Sequence, residues 1–347
     1  MALIAPCIQV SLALAQQKNE DPPQASPVLQ DSAGQAVQQP GPQLKKQDNK
    51  KKTAGTPDYS IRVKVPLVTL DVSVLTPNGY SVPELTKENF RVFEDGVPQT
   101  ITSFSRKETA VTAVLLVEFS VQSQDLEYPA LRACARFAQG LKPDDWTAMI
   151  LFDREPRIVQ DFTQDSRALE ATLDATRIPL LREANLFDAL DDTLDRLQTV
   201  DGRKYIILIA SGQDSFSKDV LDDVYKKIES ARDTVIYALD TGTGMPDRQA
   251  INQMRTFARM TGGRVYFPTS LYEYGDVFRE VQQSMHNRYT LSYHPTHSGQ
   301  NGAEAWHKIK VQVVAPANSV PGSKEDYGRK FQVIARDGYR AEKADSK

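Results

Sequence analysis

The sequence predicts a doubly wound α/β domain with a mostly parallel central sheet, set beside a small antiparallel β companion built from both ends of the chain. Three observations predict it. Between Val111 and Phe267, short apolar runs of strand character alternate with amphipathic helical stretches, the spacing that gives a parallel sheet with helices on both faces. Before and after that region the helical periodicity gives way to short alternating segments separated by Gly, Pro and Asn turns. The 347 residues, 40% hydrophobic and 25% charged, provide for one large α/β unit and a smaller companion.

Residues 1–15 carry no charged side chain and end in Ala13-Leu14-Ala15, a small-x-small pattern. They are expected to be a signal peptide, although no basic residue precedes the apolar stretch. From 16 to 57 there is no aromatic residue, and Gln, Pro, Lys, Asp and Ala dominate. Such a stretch buries too little apolar surface to offset its ordering entropy and is expected to be a disordered linker. The lysines 45, 46, 50, 51 and 52 fit a solvated linker better than an anionic-surface contact.

Residues 58–108 form the first β segment. Ile61-Arg62-Val63-Lys64-Val65 alternates with period two and 67–74 continues as β-branched strand material. Pro77-Asn78-Gly79 marks a turn, and Phe90-Arg91-Val92-Phe93-Glu94 is a strand stopped by the hairpin dipeptide Asp95-Gly96, with 100–104 returning. The α/β unit is expected over 109–287. Buried strands fall at 111–117, 146–152, 205–210, 234–239 and 264–267, with an edge strand at 157–162. Helices fall at 126–140, 186–197, 220–232 and 248–261. Leu186, Leu190, Leu194 and Leu197 recur at helical spacing, and Gly262-Gly263 closes the last helix. The tail, 288–342, returns to strands at 289–293, 307–314 and 331–336 and is expected to pack with 58–108.

Several function classes are excluded or disfavoured. A formal charge of −3 argues against nucleic acid, and no run approaches the ~18 apolar residues of a membrane span. Once residues 1–15 are removed, Cys134 is the one remaining cysteine and falls inside an amphipathic helix, where it reads as core. His294-Pro295-Thr296-His297 with His307 has a superficially metal-like spacing, yet lies in a Pro/Gly-rich loop and strand and reads as surface. Thr241-Gly242-Thr243-Gly244 matches no dinucleotide or phosphate-loop pattern, and no Gly-x-Ser-x-Gly elbow occurs. The expectation is a protein without catalytic activity, a hydrolase being the enzymatic alternative.

The run Leu85-Thr86-Lys87-Glu88-Asn89-Phe90-Arg91-Val92-Phe93-Glu94-Asp95-Gly96, followed by the α/β pattern and closed by Arg336-Asp337-Gly338-Tyr339, resembles the bacterial secreted VWFA-related proteins. The resemblance spans about 59–340 and implies a von Willebrand factor A, Rossmann-like fold outside the cytoplasm. In that fold an Asp-x-Ser-x-Ser run, a Thr and an Asp hold a divalent cation in a metal-ion-dependent adhesion site. Here those positions carry Glu118-Phe119-Ser120-Val121-Gln122 with Ser123 one place late, Ala184, and Ser211 in Ala210-Ser211-Gly212-Gln213-Asp214. One carboxylate is longer by a methylene, one ligand is missing and one charge is missing, which suits Mg²⁺ poorly. The expected site is therefore a degenerate adhesion crevice of Glu118, Ser120, Gln122, Ser211 and Asp214, without a cofactor and with a protein partner. The alternative is a looser Mg²⁺ or Ca²⁺ site drawing on Glu118, Ser120 and Asp214, with Asp188 in reserve. The bland reading of Ser211 and Asp214 is that they cap turns and helices. A structural component of an envelope assembly is the other functional alternative.

Overall fold

The computed structural model describes residues 67–76, 80–82, 84–106, 110–120, 127–175, 183–231, 233–242, 247–296, 306–314 and 331–340. The expected signal peptide, the linker, the strand at 61–65, Gln122, Ser123 and His297 lie outside them.

A six-stranded sheet forms the centre: β5 (Val111–Glu118), β6 (Trp146–Phe152), β7 (Pro156–Thr163), β8 (Arg203–Ala210), β9 (Thr234–Asp240) and β10 (Val265–Tyr266). Its order is β10-β9-β8-β5-β6-β7, parallel throughout except for β7, which runs antiparallel on the edge beside β6. The period of two in a strand sorts each run of apolar side chains onto two faces. Val114, Leu116, Ile206, Leu208, Ile236 and Ala238 meet one helical layer, whereas Leu115, Val117, Ile207, Ile209, Tyr237 and Leu239 meet the other. Burial on both faces is why these strands read as unbroken apolar runs.

The first layer is α3 (Leu186–Leu197), α4 (Leu221–Ser230) and α5 (Arg248–Thr261), which supply Leu190, Leu194, Val224, Ile228, Met254 and Phe257. Asp247 caps α5 by accepting from the Gln249 and Ala250 amides, and Gly262 ends it with φ 75°. The second layer is α1 (Glu127–Gln139), α2 (Ser166–Ala175) and α6 (Leu271–His286), with Cys134, Phe137, Leu169, Phe278 and Met285 buried. Neither α2 nor α6 is among the helices expected above. Their stripes are present in the sequence, Tyr274, Phe278, Val281 and Met285 falling at i, i+4, i+7 and i+11.

The remaining strands pair between the two ends of the chain. One sheet has β1 (Val68–Leu75) between β13 (Gln332–Ile334) and β11 (Arg288–Tyr293), with β4 (Ile101–Ser105) outermost. The other joins β2 (Phe90–Glu94) to β3 (Val97–Gln99) on one side and β12 (Trp306–Val313) on the other, ending in β14 (Gly338–Arg340). Asp95 and Gly96 have φ 50° and 85°, the two left-handed residues that a tight hairpin needs. The two sheets share one core, in which Phe90, Phe104 and Tyr289 pack with ring centroids 5.1–5.8 Å apart. Only Gln332–Ile334 of the expected 331–336 strand pairs, and Gly338–Arg340 forms a separate short strand.

Arg288 joins the α/β unit to these sheets. It is fully buried, with Nη2 donating to the Gly262 carbonyl at 2.9 Å and the Tyr237 hydroxyl at 2.8 Å, and Nε to the Ser284 carbonyl at 3.3 Å. Gly262 and Ser284 mark the carboxyl ends of α5 and α6, where the helix dipoles are negative and favour a cation. At the amino-terminal ends of β5 and β6, Asp145 accepts from His286 Nε2 at 2.7 Å, the Lys142 amide at 2.8 Å and the Val111 amide at 3.0 Å.

Candidate functional site

Ligand crevices of open α/β sheets lie beyond the carboxyl ends of the strands, and the residues expected to form one here begin where β5 ends at Glu118. Glu118 is 1% exposed and Ser120 is fully buried. The Glu118 carboxylate accepts from the Ser120 hydroxyl, from the Ser211 amide at 2.7 Å, and from the Ser211 hydroxyl at 2.8 Å to Oε2 and 3.1 Å to Oε1. Ser211 follows β8, and Gly212 behind it has φ 75°. A Cβ there would meet the Ala250 carbonyl at 2.9 Å, so the turn that aims the Ser211 amide inward requires glycine.

The electrostatics follow from burial. Removal from water pushes the Glu118 carboxyl above its ordinary range; hydrogen bonds from Ser120 and Ser211 oppose the rise, and the nearby Asp240 carboxylate adds to it. Asp240, the last residue of β9, is itself raised by burial, against the Gly242 amide that donates to it at 2.8 Å. Asp240 was not foreseen, although its position as the first charge after a buried strand matches that of Glu118.

The other expected residues divide. Glu118, Ser120 and Ser211 come together as one hydrogen-bonded group. Asp214 turns away from it. Its carboxylate accepts from the Phe187 amide at 3.1 Å at the start of α3, from the Ser217 amide at 3.3 Å and from the Ser217 hydroxyl at 2.5 Å. Asp188 similarly accepts from the Lys218 and Asp219 amides at 2.8 and 3.0 Å. For Asp214 the capping alternative describes the contacts. Ala184, at the threonine position, is 1% exposed and held through its amide by the Ser215 hydroxyl at 3.2 Å.

The same end of the sheet carries large exposed apolar side chains. Phe216 and Val220 lie in the loop after β8, Phe267 follows β10 and Tyr272 opens α6, at 69, 58, 42 and 88% exposure. They are four of the eight large apolar residues exposed among the described residues.

The histidine expectation needs correction. His294 is exposed, but His307 is buried, and its Nδ1 lies 2.8 Å from Asp95 Oδ2. Its partners come from the first β segment, 212 residues away, and so no local spacing reveals them.

The sheet order with one antiparallel edge strand and the helices on both faces make this a von Willebrand factor A-like fold. No family model matches the sequence, and no curated protein matches it. Among solved structures, the chain is similar to a von Willebrand factor type A protein from Catenulispora acidiphila, with 12% identity, 83% of this chain and 76% of that chain covered, and a TM-score of 0.42. It is similar to the ArnB paralog VWA2 from Sulfolobus acidocaldarius at 14% identity, over 80% of this chain and 76% of that chain, with a TM-score of 0.42. It is also similar to the conserved hypothetical protein BatB from Bacteroides thetaiotaomicron at 15% identity, over 50% of this chain and 98% of that chain, with a TM-score of 0.40. These likenesses concern fold and carry no ligand or partner across. Among the described residues, no helix is long and apolar enough to cross a membrane.

Proposed function

We propose that this chain is a non-catalytic protein-binding module that acts outside the cytoplasm, as its first fifteen residues suggest. It engages its partner through the loops at the carboxyl ends of the central strands, and without a metal ion. The observation that carries the reading is that Phe216, Val220, Phe267 and Tyr272, in the segments that follow β8 and β10, are exposed while the acidic group at the end of β5 is already engaged. A Glu118 carboxylate held by Ser120 and Ser211, and biased by burial toward its neutral form, is a weak ligand for a hard cation. Asp214 is committed to the start of α3, which leaves the Mg²⁺ or Ca²⁺ alternative with Glu118 and Asp240, both pushed by burial toward the neutral form. Recognition then rests on apolar and aromatic contact at this end, with Gln122 as an expected rim residue.

The test is site-specific photocrosslinking from Tyr272 in cells that express the full chain, with and without Phe216→Glu. Phe216 and Tyr272 are exposed, so neither change disturbs the core, unlike any substitution at the buried Ser120. One discrete adduct that Phe216→Glu abolishes at unchanged melting temperature supports the reading. Absence of a variant-sensitive adduct overturns it in favour of a structural component.

A further inference from the structure

We propose that Glu94, Asp95 and His307 form a binding site for a late first-row divalent cation, Zn²⁺ in the first instance, that clips the β2–β3 hairpin to β12. Each residue offers one ligand atom, and the three atoms lie within 4.8 Å of one another. His307 Nδ1 stands 2.8 Å from Asp95 Oδ2 and 3.6 Å from Glu94 Oε1. Zinc bonds to imidazole nitrogen and carboxylate oxygen are about 2.0–2.2 Å, which makes the edge of a tetrahedral site about 3.3 Å. The two nitrogen–oxygen separations bracket that edge, and the two carboxylate oxygens, within 4.8 Å of each other, close on the ion by side-chain rotation as it takes the place of the Nδ1 proton.

The surroundings favour a cation over a proton. Glu94 is 4% exposed, and its Oε2 accepts from the Tyr293 and Tyr339 hydroxyls at 2.5 and 3.3 Å. Its Oε1 lies on the side of the same imidazole nitrogen that Asp95 faces. One Nδ1 proton serves only one of two carboxylates and leaves a buried negative charge, whereas a divalent ion serves both and leaves none. The ligands are also held in place. Asp95 Oδ1 accepts from the Lys308 amide at 2.8 Å, and the Asp95 amide donates to the Lys308 carbonyl at 2.8 Å. The His307 ring stacks on Tyr339 with centroids 5.3 Å apart. Hydroxyls and amides that fix ligand orientation in this way are the usual outer support of a metal site. Imidazole among the ligands selects Zn²⁺ and its neighbours over Mg²⁺ or Ca²⁺. With three protein ligands, a fourth position is left for water.

The experiment is calorimetric titration of chelator-treated full-length protein with Zn²⁺, together with thermal melts and X-ray absorption of the loaded wild type. The expected result is one zinc per chain and a melting temperature about 5 °C higher at saturating ion. The absorption spectrum should fit one imidazole with oxygen ligands. His307→Gln and Asp95→Asn should each weaken binding at least a hundredfold, while Glu118→Gln and His294→Ala leave it unchanged. No binding at 100 μM Zn²⁺, a spectrum with two or more imidazoles, or affinity indifferent to His307→Gln overturns the proposal. Loss of binding in Glu118→Gln alone also overturns it and places the ion in the crevice.

Discussion

Replacing Glu118 separates the charge of its carboxyl from its shape. In Glu118→Gln the side-chain oxygen can still accept from the Ser211 amide and hydroxyl, now 2.7 and 2.8 Å from Oε2, while the new amide donates to Ser120. With these partners kept, the change should cost no more than about 1 kcal/mol at pH 7. Glu118→Ala instead leaves a buried amide unpaired, at about 1–3 kcal/mol, and opens a cavity, for a total of about 3 kcal/mol or more. The pH dependence gives a second handle. Burial raises the folded pKa of this acid above its ordinary 4.5, so between those values the native chain holds a proton that the unfolded chain has released. Wild-type stability therefore falls as pH rises from about 4.5 to the folded value and then levels off, whereas the Gln variant lacks this decline. Urea denaturation of wild type and both variants from pH 4 to pH 9, in chelator and in millimolar Mg²⁺ or Ca²⁺, measures all of this. If Glu118→Gln loses as much stability as Glu118→Ala at neutral pH, the negative charge is required and the reasoning fails. A midpoint raised by Mg²⁺ or Ca²⁺ in wild type but not in the variant refutes the metal-free crevice.

Further outcomes follow from other contacts. Asp145 is buried, which raises its pKa, but His286 and the Val111 and Lys142 amides outweigh this and hold it below its ordinary 3.8. Its stabilisation is complete above 3.8 and lost as pH falls through the folded value. Asp145→Asn should therefore cost about 2 kcal/mol at pH 7 and much less at pH 2.5, as read from urea melts at the two pH values. Gly263→Ala should prevent folding, since a Cβ there lies 1.9 Å from the Ile236 carbonyl of β9; soluble yield and circular dichroism check it. Gly96→Ala meets no atom within 4 Å and carries only the strain of φ 85°, about 1 kcal/mol in a thermal melt. Arg288→Ala removes the donor to Tyr237, Gly262 and Ser284 together and should cost about 3 kcal/mol or more, seen as a lowered urea midpoint.

Much of the α/β architecture is legible because buried parallel strands and one-sided helices have distinct periods. The runs at 146–152, 186–197 and 248–261 fall on β6, α3 and α5 without adjustment. The missed α2 and α6 show the limit of Leu-rich stripes as a signal: aromatic and Met residues make the stripe of α6, and Leu169 is the one fully buried side chain among the described residues of α2. At the crevice, Glu118, Ser120 and Ser211 are legible because a side chain that ends a central strand must emerge at the carboxyl edge. Whether a carboxylate there meets hydroxyls, amides or another carboxylate depends on loop paths. Asp214 illustrates this, since only the approach of α3 determines that it serves the Phe187 amide. The Asp95–His307 contact was beyond reach for a related reason: strand pairing between distant segments leaves no trace in local spacing.

The pairing of β1 with β11 also fixes how force travels through the chain. Six residues register antiparallel, from Val68 opposite Tyr293 to Ser73 opposite Arg288. Tension between the polypeptide entering at Val68 and the α/β unit that leads into Arg288 through α6 acts on opposite ends of this ladder. The strands are then loaded in shear, and their hydrogen bonds resist together instead of opening one after another. A partner gripped at the strand carboxyl ends and pulled against the N-terminal side of the chain would load that ladder in series with the central sheet, whose own strands are tied by parallel ladders.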